Sequence, residues 1–369
     1  MKITGAVTET KGGPFVLSEL ELDDELRDDE VLVDISASGI CHTDLICRDQ
    51  WLPVPLPAVL GHEGAGVVRA VGSTVTKVAV GDRVGLTFDS CGTCVCCRRG
   101  KPSYCHNFFD HNFAAARASD GSSALSRGGE PVHAHFFGQS SFATAAIARE
   151  RNVVAITSAI PLEVAAPFGC GIQTGAGAVL NTLRVAPGSS IAVFGTGAVG
   201  ISALLGAAIA GAQTIIGIDL HPARLELARE LAATHVIDAG TTDAVAEIRR
   251  ITGAGVDYSL DTTGAPAVLR SCVDCLAPLG VAGLIGGSQV GTEVSLDMTD
   301  ILVGGRTLRG VVEGDSVPEI FLPQLIRFWE QGRFPVDRLM REYDFDAIEE
   351  AAHDAEAGRT IKPVLRMSS

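Results

Sequence analysis

The chain has 369 residues, 46% of them hydrophobic and 20% charged, with a net charge of −15. That length points to about two domains. The acidic balance disfavours nucleic acid, because the one compact basic patch, Arg98, Arg99 and Lys101, is too short to hold a phosphate backbone. The N-terminal MKITGAVTETKGG lacks a basic segment ahead of an apolar run, and no 18-residue stretch is free of polar breaks, so neither a signal peptide nor a membrane span is expected.

In chain order, residues 1 to about 165 look β-rich, with β-branched runs such as 31–35 and 66–71 separated by glycine turns. Three isolated ligand-type residues lie in this half: Cys41 in Gly-Ile-Cys-His-Thr-Asp44, His62 in Gly61-His-Glu-Gly64, and Cys170 in Gly169-Cys-Gly171. Between them stands CGTCVCCRRGKPSYC, residues 91–105, followed by a polar stretch, 107–129, that reads as a long surface loop. From about Ser189 apolar strands alternate with helical segments: 191–195, 199–210, 214–219 and 223–233, then strands at 235–237, 256–260 and 281–285. That alternation predicts a parallel, doubly wound sheet. Two amphipathic helical patterns, 318–331 and 345–356, close the chain, and no internal repeat is present.

The run Cys91, Cys94, Cys97, Cys105 has the C-x2-C-x2-C-x7-C spacing. Four thiolates on one lobe close a tetrahedron around zinc and leave no open position, which describes a structural site. A disulfide-rich loop or unpaired core thiols are the alternative, and Cys96, between two ligands, reads as a spare thiol. The ten cysteines then fit metal ligands and buried thiols in a reducing cytoplasm. Cys41, His62 and Cys170 together offer two thiolates and one imidazole, and three protein ligands with a fourth position open is the arrangement of a catalytic zinc. Gly195-Thr-Gly-Ala198-Val199-Gly200 follows a strand and opens a helix, so it fits a dinucleotide pyrophosphate at the helix N-terminus. Asp219 ends the next strand, 19 residues after Gly200, where a carboxylate accepts ribose hydroxyls and repels a 2′-phosphate; Arg224 lies one turn on, beside the adenosine. NAD is therefore expected over NADP.

These motifs, in this order, resemble the zinc-dependent medium-chain alcohol dehydrogenases over nearly the whole length. The resemblance implies an α/β protein: a GroES-like β-rich catalytic domain over residues 1–171 and 312–369, and a Rossmann NAD-binding domain over 172–311. It implies zinc at Cys41, His62 and Cys170 for catalysis and a second zinc at the four-cysteine lobe. It places Glu63 close behind the catalytic metal and makes Asp44 the carboxylate that orients the histidine ligand. Thr43 matches the hydroxyl that bonds the substrate oxygen and passes its proton to the nicotinamide ribose. His42 and Lys362 match contacts of the cofactor pyrophosphate, and Thr174 matches a residue near the nicotinamide.

Many family members carry a proton-relaying histidine where this chain has Ile46. Its absence is shared with the bacterial aryl-alcohol (benzyl alcohol) dehydrogenases, which this chain also resembles in Leu-Pro-Val-Pro-Leu-Pro57, Phe136-Phe-Gly-Gln-Ser-Ser-Phe-Ala143 and Gly171-Ile-Gln-Thr-Gly-Ala-Gly177. Reversible oxidation of benzylic or allylic primary alcohols to aldehydes is the activity implied, with Trp51, Phe88 and Ile46 lining the substrate pocket or, for the two aromatics, simply filling core. A polyol or secondary-alcohol dehydrogenase, or a non-catalytic homologue, are the competing readings. The resemblance also implies a cytoplasmic homotetramer, with the homodimer as alternative, whose sheets pair edge to edge near 308–312.

Overall fold

The computed structural model describes residues 1–367. Its contacts divide into two units. One contains Met1–Cys170, Val317–Glu330 and the chain from Val336 onward; the other contains Gly171–Ser316 and Gln331–Pro335.

The first unit is built on two sheets. The smaller is antiparallel, in the order Ala58–Val59, Lys2–Thr8, Phe15–Leu22, Leu125–Arg127, Glu130–Val132. The larger runs Val153–Ala155, Arg83–Leu86, Gly64–Val71, Glu30–Gly39, Lys362–Arg366, Met340–Asp344, with Ala145–Arg149 also paired to Glu30–Gly39. Glu30–Gly39 is the axis of this sheet. Eight of its ten residues are buried, as a central strand rich in valine and isoleucine requires. Because Lys362–Arg366 pairs with its far end, Val364 opposite Gly39, the C-terminal strand carries Lys362 next to Ile40 and Glu63.

The second unit holds a six-stranded, wholly parallel sheet. Its order is His235–Asp238, Thr214–Asp219, Ser190–Phe194, Val256–Asp261, Leu276–Leu284, Thr307–Gly310. In chain order that is 3-2-1-4-5-6, the doubly wound Rossmann arrangement. Helix Ala198–Ala210 follows the first strand; it is apolar almost all round and largely buried, and it ends on Gly211 in the left-handed conformation.

The stretch 107–129 departs from the expected surface loop. It opens with helix Phe108–Asn112 and closes in strand Leu125–Arg127. Three of its polar residues, His111, Asn112 and Arg117, are buried, each with a partner. The Asn112 carboxamide accepts from Asp89 N (2.9 Å) and donates to Asp89 O (3.0 Å). The Arg117 guanidinium grips Glu30 through two bonds of 2.8 and 3.2 Å, with both side chains at most 5% exposed. The segment is therefore surface at 118–121 and 128–129, as expected, and anchored into the interior through His111, Asn112 and Arg117. Removing one member of such a pair strands a buried charge, so Arg117→Met is expected to lose about 3–5 kcal/mol in urea unfolding. The double variant E30M/R117M is expected to recover most of that loss, and equal instability of single and double variants would contradict the pairing.

Candidate metal centres and dinucleotide site

Cys41 is the N-cap of helix His42–Arg48, and Asp44 closes the first turn by accepting from Cys41 N at 2.9 Å. The other Asp44 oxygen accepts from Gly61 N at 3.1 Å and from His62 Nδ1 at 2.8 Å. A carboxylate accepts only, so His62 Nδ1 carries a proton and Nε2 is the nitrogen that a metal would take, displacing any proton it holds. Nε2 is fully buried and has no protein partner. Ligand atoms of Cys41, His62, Glu63 and Cys170 all lie within 4.8 Å of one another. Contact with Cys170 pulls the Cys41 thiol well below its ordinary value against the cost of burial. Burial opposes charge on His62, but Asp44 outweighs it and raises the imidazole well above its usual range. Acidified thiolate, basic imidazole and an orphaned nitrogen fit a soft divalent metal, as zinc is.

The His62 ring is held from its sides as well. Phe137 stacks on it at 4.5 Å and Phe136 meets it edge-on at 5.5 Å. In the sequence these phenylalanines carry only a family likeness. His135, Phe137 and Ser140 all take positive φ, which no composition signal announces.

The remaining residues assigned to this centre fall unequally. Thr43 is half-buried with its hydroxyl 3.8 Å from Cys41 Sγ, and His42 is exposed. Ile46 is buried on the same helix. Lys362, expected at the cofactor pyrophosphate, is buried with Nζ donating to both Glu63 oxygens (3.0 and 2.9 Å) and to Ile40 O (3.1 Å). All three ammonium protons are thereby engaged inside the unit. Phe88 is buried in the hydrophobic core beside Phe108, whereas Trp51 is half exposed.

The four-cysteine lobe forms as its spacing predicts. Sγ atoms of Cys91, Cys94, Cys97 and Cys105 lie within 4.8 Å of one another, and Cys96 stands outside the group. Backbone amides already point at the sulfurs: Cys94 N to Cys91 Sγ and Cys91 N to Cys105 Sγ, each 3.3 Å. Burial works against ionisation of Cys91, yet the N–H of Cys94 and the Thr93 hydroxyl bring its thiol down to about 5, while burial pushes Cys105 up to about 12. None of the ten cysteines is joined in a disulfide, and the four lobe sulfurs face one another as a group rather than in pairs.

In the second unit Gly195 has φ +88°, and a side chain there would strike the Thr262 hydroxyl; one at Gly200 would strike the Gly195 carbonyl. The space around the Gly197 Cα is open, beside the N-terminus of the helix that Ala198 and Val199 begin. Asp219 sits at its strand end and accepts from Thr196 N and Oγ1 (2.7 and 2.9 Å), Leu220 N (2.8 Å) and His221 N (3.0 Å). Burial opposes its ionisation, but these bonds hold its carboxyl below the ordinary value. Arg224 Nε is buried without a hydrogen-bond partner, though its charge acts on Asp219, and the Thr174 hydroxyl donates to Glu313 at 3.4 Å. An open glycine approach, a free helix N-terminus and a fixed anion fit a dinucleotide.

Residues 27–158 match the family described as alcohol dehydrogenase GroES-like domain, and residues 198–330 match zinc-binding dehydrogenase. Geraniol dehydrogenase of Castellaniella defragrans is 47% identical over 361 residues, 98% of this chain and 96% of its own length. The NDMA-dependent alcohol dehydrogenase of Amycolatopsis methanolica is 34% identical over the full length of both chains. Among solved structures, benzyl alcohol dehydrogenase of Acinetobacter calcoaceticus superposes with a TM-score of 0.97 at 49% identity, covering 100% of both chains. Sheet order, two metal-type clusters and full-length likeness agree: the chain belongs to the zinc-dependent medium-chain alcohol dehydrogenases, for which zinc and a nicotinamide cofactor are typical.

Proposed function

We propose that this enzyme oxidises aromatic and allylic primary alcohols to aldehydes with NAD, reversibly. The observation that carries the reading is the Cys41–His62–Cys170 donor set, buried but for half-buried Cys41, with its orphaned Nε2. Likeness to a geraniol and a benzyl alcohol dehydrogenase supports the substrate class. Cys41, His62 and Cys170 hold the catalytic zinc, and Cys91, Cys94, Cys97 and Cys105 the structural one. When bound at the first site, zinc supplies Lewis acidity toward the alcohol oxygen.

The chain's own groups do the rest. Asp44 fixes the His62 tautomer and ring direction. Thr43 accepts the alcohol proton and passes it toward the nicotinamide ribose. Glu63 keeps a carboxylate beside the ligands, held by the Lys362 ammonium. Asp219 receives the adenosine ribose hydroxyls and disfavours a 2′-phosphate, and Arg224 offers its unpaired guanidinium nitrogen to the adenosine. Trp51 borders the substrate channel; the burial of Phe88 among core aromatics favours a packing role for it. Ile46 can neither accept nor donate a proton, so the last proton step runs through water. Pairing of edge strand Thr307–Gly310 with a second copy is supported by its exposure and that of Leu279, Met298, Leu302 and Val303. That pairing suits a homodimer or a tetramer built from dimers. No helix among the described residues is long and apolar enough to cross a membrane, and free thiols throughout favour the cytoplasm.

Initial rates of NAD reduction test the substrate class. Benzyl alcohol, cinnamyl alcohol and geraniol are expected to exceed ethanol by about 100-fold in kcat/KM, since the larger substrates bury more apolar surface. Turnover confined to sorbitol or butane-2,3-diol would replace it with the polyol reading. For the proton route, Ile46→His is expected to oxidise alcohol faster and with less dependence on buffer concentration; unchanged buffer dependence would contradict release through water.

A further inference from the structure

His62 stands on the link, residues 60–62, between strand Ala58–Val59 and strand Gly64–Val71; the link pairs with no strand, while Glu63 O already accepts from Gly39 N at 3.0 Å. Buried backbone groups must nevertheless be paired. Their partners come from the segment 139–142. Ser140 Oγ donates to Val59 O (2.6 Å), Phe142 N to Leu60 O (3.0 Å) and Ser141 N to Gly61 O (2.9 Å). At the next step the segment supplies a side chain where a peptide would stand. Gln139 Nε2 donates to His62 O (3.0 Å), and Gln139 Oε1 accepts from Gly64 N (3.0 Å). The carboxamide thus spans Glu63 as a strand's peptide group would, binding the carbonyl before it and the amide after it.

The same Gln139 amide also donates to Thr87 O at 3.2 Å, and the Thr87 hydroxyl donates to Gly169 O at 2.7 Å, one residue before Cys170. Two metal-ligand segments far apart in sequence therefore meet through one buried carboxamide and one buried hydroxyl. Gln139 is 2% exposed and Thr87 is fully buried. Asn152 braces the arrangement from behind, donating to Thr87 O (3.3 Å) and Gly138 O (3.1 Å), where the chain runs through its left-handed residues.

We propose that Gln139 and Thr87 are positioning residues for the catalytic metal: they set the spacing between His62 and Cys170 by tying His62 O, Gly64 N and Gly169 O into one network. The proposal rests on the metal-site reading above. It assigns to the Gly-Gln-Ser-Ser run a role in metal geometry, acting through the backbone and touching neither metal nor substrate. Gln139→Leu keeps the volume and removes all three carboxamide bonds; Thr87→Val removes the hydroxyl bond alone.

The test is metal release to a chelator from the zinc-loaded enzyme, together with the visible spectrum after cobalt replaces the catalytic metal. Gln139→Leu is expected to lose metal from the Cys41–His62–Cys170 site about tenfold faster than wild type, the scale of outer hydrogen-bond partners of metal ligands. Release from the four-cysteine lobe should stay unchanged. The cobalt bands of both variants should shift, and Thr87→Val supplies the answer if Gln139→Leu does not fold. Release rates and cobalt spectra equal to wild type in both variants would overturn the positioning role. Wild-type enzyme that takes up metal only at the four-cysteine lobe would overturn the metal-site reading itself, an outcome distinct from the first.

Discussion

The buried carboxylate of Asp44 is the contact on which the candidate catalytic centre depends. It binds the Cys41 amide, the Gly61 amide and the His62 ring within 3.1 Å. One side chain thereby caps the helix that presents the first thiolate, anchors the loop that presents the imidazole, and selects the imidazole tautomer. Each bond alone is an ordinary polar contact of about 1–3 kcal/mol. Their convergence on a single anion leaves His62 Nε2 without a hydrogen-bond partner beside the Cys41 and Cys170 thiols and the Glu63 carboxylate, its ring flanked by Phe136 and Phe137. A divalent cation is the group that satisfies such an arrangement.

The two units apply the same rule to different chemistry. In the first, polar backbone that cannot join a ladder is paired by side chains, as Gln139 does around Glu63. In the second, the amides at the start of helix Ala198–Ala210 are left for a ligand, and Asp219 is held in place by four donors from its own chain. The first arrangement produces rigid ligand spacing. The second leaves an anion-binding end suited to a dinucleotide phosphate.

Much of this was legible in the sequence because the signals are local. Four cysteines within fifteen residues can form only a compact lobe, and a glycine motif between strand and helix carries its own context. The strand Thr214–Asp219 emerges with the bounds its apolar run predicts. The sequence resisted where partners are distant. Arg117 and Glu30 are 87 residues apart, and nothing near Arg117 announces a buried mate, so 107–129 read as loop. Lys362 lies 299 residues from Glu63, and its family likeness to a phosphate contact concealed that its protons are engaged within the unit. Helix Ala244–Thr252, capped by Asp243, is legible locally in its amphipathic pattern, although the strands on either side carry the stronger signal.

Metal stoichiometry tests the central claim most directly. The account predicts about two zinc ions per chain in the wild type and about one in Cys170→Ser, with the four-cysteine zinc retained and alcohol oxidation abolished. A Cys170→Ser enzyme that keeps both metals would contradict the assignment of Cys41, His62 and Cys170 as the catalytic centre.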